Sequence, residues 1–301
     1  MFELLLAKKN ISLLQQGYSL LACGYDSGNT NINTTQKYKY NSDTQSQGTS
    51  LNDKKSMLVG VGNSSAGLFA TGNAFTNTEK YNYSDDSVNA GSSLTIYRTE
   101  AAGTGNELFG LIAGGYSGRY LASTDKYIYS TNACSPGSSL LYPRAGLAAA
   151  GNESFGLFCG GYTGTYPAYN VQTVAEKYTY STDVRTTSTA MSRARFHFVG
   201  ASSPSFAIFS SGRSSGSSYA NFVDTEKYIY SSDVRVMGTS INVGLTTPAA
   251  ASGNANLALF TGGWIVGQYL YSDDTVKNRS NLTVFRRQHA ATSSSPNWTS
   301  T

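Results

Sequence analysis

Two histidines and two pairs of adjacent carboxylates are the residues that first suggest catalysis or metal binding. His197 and His289 each follow an arginine by two positions, so both fall at one place in a recurring pattern. Asp85-Asp86 and Asp273-Asp274 lie in Ser- and Asp-rich clusters, where such side chains hydrogen-bond the local backbone of a turn. We therefore predict turns and structural histidines, and a non-enzymatic protein with no cofactor and no metal.

A second set of residues suggests binding, because tyrosines and arginines alternate with Ser and Gly. Such composition gives rigid amphipathic contact area at low entropic cost, as in antibody loops. Exposed aromatic rings also stack on sugars. The set comprises Tyr116, Arg119, Tyr120, Tyr162, Tyr166, Tyr169, Arg213, Tyr219 and Trp264. We expect it to form one face that recognises a glycan or a protein; the alternative is that these side chains only cover the ends of strands.

The composition limits the classes of protein that can carry these residues. The 301 residues include 31 Gly and 22 Tyr, and only 13% are charged, with a net charge of +4. A coiled coil would be richer in Ala, Glu, Lys and Leu, and a disordered chain would have fewer aromatic residues. Lys and Arg are scattered, so we expect no nucleic-acid partner.

Segments for export or membrane insertion are not evident. No run of 18 apolar residues occurs, and residues 1–10 lack the basic and apolar regions of a signal peptide. Cys23, Cys134 and Cys159 are too few and too widely spaced for a disulfide framework or a zinc motif. We expect free thiols and no membrane insertion.

An internal repeat fixes the architecture. Six short apolar runs end in glycine, and these glycines are 43 to 51 residues apart. The runs are residues 20–24, 68–72, 111–115, 157–161, 208–212 and 259–263.

Two further elements recur with the same period. Each apolar run is followed by two tyrosines separated by one residue, which lie on one face of a strand. These pairs are Tyr38/Tyr40, Tyr81/Tyr83, Tyr127/Tyr129, Tyr178/Tyr180, Tyr228/Tyr230 and Tyr269/Tyr271. A basic residue precedes a run of small residues in five copies, with Thr246 as the exception. These residues are Lys55, Arg98, Arg144, Arg195 and Arg287.

Four short strands in each of six repeats predict an all-β, six-bladed β-propeller occupying residues 1–301 as a single domain. The chain begins within a repeat, and residues 284–294 supply the small-residue strand that this first repeat lacks. We therefore expect the C-terminal strand to close the N-terminal blade. The five basic residues would form a ring at a channel mouth, or each would pair with an acidic residue of a neighbouring blade or cap a loop.

The repeat resembles the kelch repeat, most clearly in Pro143-Arg144, Gly160-Gly161 and Glu176-Lys177-Tyr178-Thr179-Tyr180. The resemblance implies an innermost small-residue strand, a second Gly-Gly strand and a third Tyr strand. Kelch proteins include the copper enzyme galactose oxidase, which uses two histidines and two tyrosines, but neither histidine here lies in a matching motif. The usual outer tryptophan is also missing.

The function predicted from these features is binding. The composition is similar to that of exposed virion or surface-appendage proteins, so we expect a phage virion or appendage component that presents the tyrosine-rich loops. An intracellular kelch-type adaptor, with a cytoplasmic location, is a second hypothesis. A sugar-modifying enzyme of kelch fold is a third. The expected partners are a protein assembly or a glycan.

Overall fold

Six four-stranded antiparallel sheets surround a central axis in a computed structural model that describes residues 17–73, 75–214, 221–241 and 250–295. These residues contain strands, turns and loops but no helix, and accordingly none of them forms a helix that could cross a membrane. The predicted six-bladed β-propeller is confirmed.

The blades share one strand order from the axis outwards, and we number them from the N-terminal blade. The innermost strands are β26 (Ala290–Ser293), β4 (Val59–Gly62), β8 (Ala102–Gly105), β12 (Ala148–Gly151), β18 (Val199–Ser202) and β22 (Ala250–Gly253). The second strands are β1 (Tyr18–Ala22), β5 (Ala66–Ala70), β9 (Phe109–Ala113), β13 (Phe155–Cys159), β19 (Phe206–Ser210) and β23 (Leu257–Gly262).

The third strands carry the first tyrosine of each pair, and the fourth strands form the outer edge. The third strands are β2 (Thr35–Lys39), β6 (Thr78–Asn82), β10 (Thr124–Ile128), β16 (Ala175–Thr179), β20 (Thr225–Ile229) and β24 (Ile265–Leu270). The fourth strands are β3 (Gln45–Gly48), β7 (Val88–Gly91), β11 (Ala133–Gly137), β17 (Val184–Ser188), β21 (Val234–Gly238) and β25 (Thr275–Asn278). Blade 4 adds a hairpin of β14 (Tyr162–Thr163) and β15 (Asn170–Val171).

The innermost strands consist of small residues because their backbones nearly touch around the axis. A Cβ atom at Gly60 would lie 2.6 Å from the Ala291 carbonyl oxygen, and one at Gly200 would lie 2.5 Å from the Ala149 carbonyl oxygen. Such distances exclude a larger side chain without a backbone shift. The strands enclose a narrow channel.

The C-terminal strand closes the ring as predicted. β26 pairs with β1 in antiparallel register, from Ser19 opposite Ser293 to Ala22 opposite Ala290. The strand is shorter than the expected 284–294, since residues 284–289 belong to the connection that enters it and Ser294 follows it.

The predicted glycine-ending runs also extend beyond their strands. Each second strand starts two residues before the predicted run, and the residues that follow it adopt a left-handed backbone. In blade 4 these are Gly160 and Gly161, with φ of 59° and 96°. In blades 1, 2 and 5 the first of the two is Cys23, Thr71 or Ser211, with φ of 60–63°. A single glycine therefore preserves the same turn, with strain at the residue before it.

The paired tyrosines have two distinct roles. The first of each pair is fully buried, and in four blades its hydroxyl donates to an acidic or amide side chain five residues later, in the turn between third and fourth strands. These pairs are Tyr38–Asp43, Tyr127–Asn132, Tyr178–Asp183 and Tyr228–Asp233. In blades 2 and 6 the second tyrosine reaches the preceding blade: Tyr83 donates to Thr292 Oγ1 at 2.9 Å and Tyr271 to the Ser202 carbonyl at 3.0 Å.

Candidate functional site

The described connections between second and third strands and the described links between blades lie on one face of the propeller, which we call the loop face. This follows from the antiparallel order of four strands, since alternate connections lie at opposite ends of a sheet. The repeat's basic residues and the predicted binding loops both lie at this end.

The basic residues do not form a charged ring at the channel mouth. Lys55, Arg98, Arg144 and Arg195 are fully buried. Their partners are acidic residues of the same blade. The expectation that they would pair with a neighbouring blade was wrong. The ion pairs are Lys55–Glu79 at 3.1 Å, Arg98–Asp125 at 2.7 Å, Arg144–Glu176 at 2.5 Å and Arg195–Asp224 at 2.5 Å. Each pair joins the segment that leads into the innermost strand to the third strand or, at Asp224, to the residue just before it.

In blade 1 the repeated position belongs to Arg286, and the assignment of Arg287 to it was wrong. Arg286 lies four residues before β26, as Arg144 lies four before β12. It is fully buried and donates to the carbonyls of Cys23 at 3.0 Å and Thr34 at 2.8 Å. Arg287 is half-buried, with its guanidinium 5.9 Å from the Phe285 ring. Thr246, the blade 6 exception, lies outside the described residues.

A ring of left-handed residues surrounds the channel mouth two positions after each basic residue. Its described members are Met57, Glu100, Gly146, His197 and Gln288, with φ between 50° and 64°. Hydrogen bonds link members of adjacent blades: Gly146 N donates to Glu100 O at 2.9 Å, His197 N to Gly146 O at 2.8 Å, and Met57 N to Gln288 O at 2.9 Å. The main chain therefore holds these side chains around the channel.

Glu100 and His197 meet across this ring because Gly146 lies between them without a side chain. His197 Nε2 is 2.9 Å from Glu100 Oε2, and the Tyr162 hydroxyl donates to the same oxygen at 2.8 Å. Burial opposes ionisation of Glu100, but its contacts with His197 and Tyr162 outweigh burial and lower the pKa of the carboxyl. A carboxylate is thus held at the channel mouth.

The predicted tyrosines of blades 3 and 4 come together beside this carboxylate. We call Tyr116, Tyr120, Tyr162, Tyr166 and Tyr169 the aromatic shelf. Ring centroids are 5.3 Å apart for Tyr116–Tyr120, 5.7 Å for Tyr120–Tyr162, 4.4 Å for Tyr162–Tyr169 and 6.2 Å for Tyr166–Tyr169. Tyr166 is 65% exposed and Tyr116 is 41% exposed, whereas Tyr162 is buried beneath them.

The other predicted binding residues are distributed around the loop face. Arg119 is exposed in the blade 3 loop that carries two shelf tyrosines. Arg213 pairs through its backbone with Phe196, whose ring packs 4.9 Å from that of Tyr162. Trp264 packs against Phe285, 5.5 Å between centroids, in the connection to blade 1. Tyr219 lies outside the described residues.

The second histidine has a different environment from the first. His289 is three residues after Arg286, not two after a repeated arginine, and is only 5% exposed. Its Nε2 is 2.7 Å from Thr261 Oγ1, and burial together with the charge of Arg286 lowers its pKa to about 3. It is therefore neutral at physiological pH.

Sequence reasoning missed Glu100, although a signal was present. Glu100 and His197 are 97 positions apart, but each lies two residues after a repeated arginine, and Gly146 occupies that position in the blade between them. Comparing the copies at this one position would have brought the three residues together.

No protein-family model matches this sequence, and no curated protein is significantly similar to it. The structure itself places the chain among the six-bladed β-propellers with four-stranded antiparallel blades. Such a fold suits a protein-binding or structural role. A more specific function has to be argued from the residues of the site, because the fold alone does not define it.

Proposed function

We propose that this propeller is a non-enzymatic binding protein that recognises a glycan with the aromatic shelf. The observation that supports this most is the grouping of five tyrosines from two adjacent blades, with Tyr166 and Tyr116 open to solvent above a packed base. The apolar faces of a sugar ring pack on such rings, while the exposed guanidinium of Arg119 can donate hydrogen bonds.

The shelf is also fixed in position, which favours binding over mere covering of strand ends. Tyr162 is held by Glu100, and the Tyr120 hydroxyl donates to the Gly164 carbonyl, which joins the loops of blades 3 and 4. A rigid platform loses little conformational entropy when a ligand binds.

We further propose that the blades are of kelch type and that the protein acts as a component of a virion or surface appendage. The buried arginine before the innermost strand, the paired left-handed residues after the second strand and the buried tyrosine of the third strand support the first proposal. The low content of charged residues supports the second.

A glycan array followed by calorimetry tests glycan recognition. Tyr166→Ala should weaken binding at least tenfold, equal to about 1.4 kcal/mol, because it removes the most exposed ring of the shelf. Tyr142→Ala is the matched control, since Tyr142 is 52% exposed but belongs to the link between blades 3 and 4. Equal losses in both variants, or no glycan bound by the unaltered chain, would contradict the proposal.

A further inference from the structure

A pocket at the loop-face mouth of the channel lies directly against the aromatic shelf. Its volume is about 110 Å³, and its polar lining comes from Glu100, His197, Gln288 and His289, with Leu147 and Phe198 among its apolar walls. Tyr162 connects the two features, because its ring packs on Tyr169 and its hydroxyl bonds Glu100. A ligand lying on the shelf can therefore extend one group into the pocket.

The hydrogen-bonding state of His289 follows from its neighbour. When Thr261 Oγ1 donates its one hydrogen to the Ala250 carbonyl, 3.3 Å away, it accepts from His289 Nε2–H at 2.7 Å. Nδ1 of the neutral ring then carries no hydrogen and is an acceptor. It is buried and has no partner among the residues that the structure describes.

Two other pocket residues also present acceptors. Gln288 Oε1 is buried without a partner within the described ranges. Glu100 is a carboxylate whose side chain is 19% exposed. Buried acceptors without donors are unfavourable, so a ligand that donates hydrogen bonds here binds more tightly than one that only fills the space.

The charges around the pocket select against anions. The neighbouring arginines Arg144 and Arg195 are buried and already paired with acidic residues, so neither is available to a ligand. Arg286 is likewise buried and donates to backbone carbonyls. A carboxylate or sulfate in the pocket would meet the Glu100 carboxylate and two acceptors, and the described lining residues include no arginine or lysine.

We infer that this pocket is a subsite for the hydroxyl-bearing edge of an uncharged sugar unit, so that the glycan bound is neutral at this unit. The inference rests on the proposed function and narrows its ligand class. The volume of about 110 Å³ limits the group that enters to the edge of one sugar ring, so the rest of the ligand lies on the shelf.

Matched pairs of neutral oligosaccharides and their sialylated or sulfated forms test this on the full chain. The neutral member should bind at least tenfold more tightly. Glu100→Gln should weaken neutral binding and reduce the discrimination, because the amide keeps the shape but removes the repulsive charge. Glu153→Gln removes the same charge from an exposed turn on the opposite face and should change neither quantity.

The outcomes separate the two proposals. Glycan binding that is lost in Tyr166→Ala but shows no preference for neutral members would overturn the pocket inference alone. An unchanged preference in Glu100→Gln, with wild-type thermal stability, would overturn it as well. Absence of binding to every glycan, neutral or acidic, would overturn both.

Discussion

At the scale of single residues, the left-handed turn after each second strand shows which positions carry backbone strain. The second residue of the turn is glycine in every described copy, and in blade 4 a Cβ at Gly161 would lie 2.7 Å from the Ala145 carbonyl oxygen. The first residue tolerates a side chain but at a cost, since a left-handed backbone is unfavourable by about 1–2 kcal/mol for residues other than glycine.

Ser211 is the first residue of this turn in blade 5, and no hydrogen bond of its side chain to a described residue offsets the backbone strain. Its φ is 63°, it is buried, and its hydroxyl has no partner among the residues described. Ser211→Gly should stabilise the fold by about 1 kcal/mol, because relief of strain and of an unpaired hydroxyl exceeds the added chain entropy of about 0.5–1 kcal/mol. The midpoint of thermal unfolding should rise by about 2 °C.

Thr71 provides the matched control for that prediction. It has the same backbone conformation, with φ of 61°, but its hydroxyl accepts from Arg98 N at 3.0 Å and donates to the Arg98 carbonyl. Thr71→Gly should therefore destabilise the protein. A shift of the midpoint in the same direction for both variants would contradict the prediction that hydrogen bonding by the side chain decides the sign of the effect.

The residues of the site were predictable to different degrees. The aromatic shelf followed from loop composition, because tyrosines in loops of adjacent blades have few other places to pack. The Glu100–His197 contact could not be predicted from local sequence. It depends on a left-handed backbone at one ring position, which has no local sequence signature, and on the space that Gly146 leaves between the two side chains. The one-residue error at Arg287 arose because Arg286 and Arg287 are adjacent and only burial distinguishes them.

At the scale of elements, the buried ion pair is the device that ties the innermost strand to the third strand of a blade. Blades 2 to 5 have both members of the pair, and blade 6 has neither. Where blade 6 has Thr246 instead of a basic residue, its third strand has Gly267 instead of the acid. Blade 1 has Gln36 at the acid position, and its buried Arg286 donates to backbone carbonyls instead. Every described guanidinium at the repeated position thus has hydrogen-bond acceptors, as expected when an unpaired buried charge is the costly state.

Blade 3 allows this coupling to be measured. Arg98 and Asp125 are both fully buried, and Arg98→Met should cost about 3–5 kcal/mol because it leaves the Asp125 carboxylate uncompensated. Adding Asp125→Leu should recover part of that loss. Urea unfolding of the four members of the double-mutant cycle checks the result; a double variant less stable than Arg98→Met would contradict it.

Strand identities were predictable from the repeat, but strand ends were not. The tyrosine pairs and small-residue runs marked the third and innermost strands, because those residue types recur with strand periodicity. The ends shifted by two residues because the apolar-Gly-Gly motif spans the end of a strand and the turn after it. The apolar-Gly-Gly motif was interpreted as one strand, but it contains the end of a strand and the turn that follows.

At the scale of the whole molecule, ring closure uses contacts equivalent to those between other blades. Third-strand lysines contact the turn aspartate of the next blade, as in Lys227–Asp274 at 3.1 Å and Lys126–Asp183 at 3.6 Å. Blade 6 has Gln268 in place of lysine, and Arg279 supplies the charge instead, 3.0 Å from Asp43 and 3.0 Å from Gln268 Oε1. The junction between first and last blades is therefore held like the others.

Removing the closing strand should show how far the ring depends on that junction. Deletion of residues 282–301 removes β26, exposes the inner edge of β1 and takes away Arg286, which bonds the carbonyls of Cys23 and Thr34. We expect a large fall in the thermal midpoint and exposure of the apolar faces of blades 1 and 2, measurable by dye binding. An unchanged midpoint would contradict the role of this strand.

Adding the missing segment as a peptide of residues 282–295 should restore stability, since a ligand that binds only the folded state stabilises it by about 2.7 kcal/mol at a hundred times its dissociation constant. The midpoint should rise with peptide concentration. The same peptide carrying Arg286→Ala should be much less effective, because it supplies the strand but not the buried guanidinium. Equal rescue by both peptides would show that strand pairing alone closes the ring.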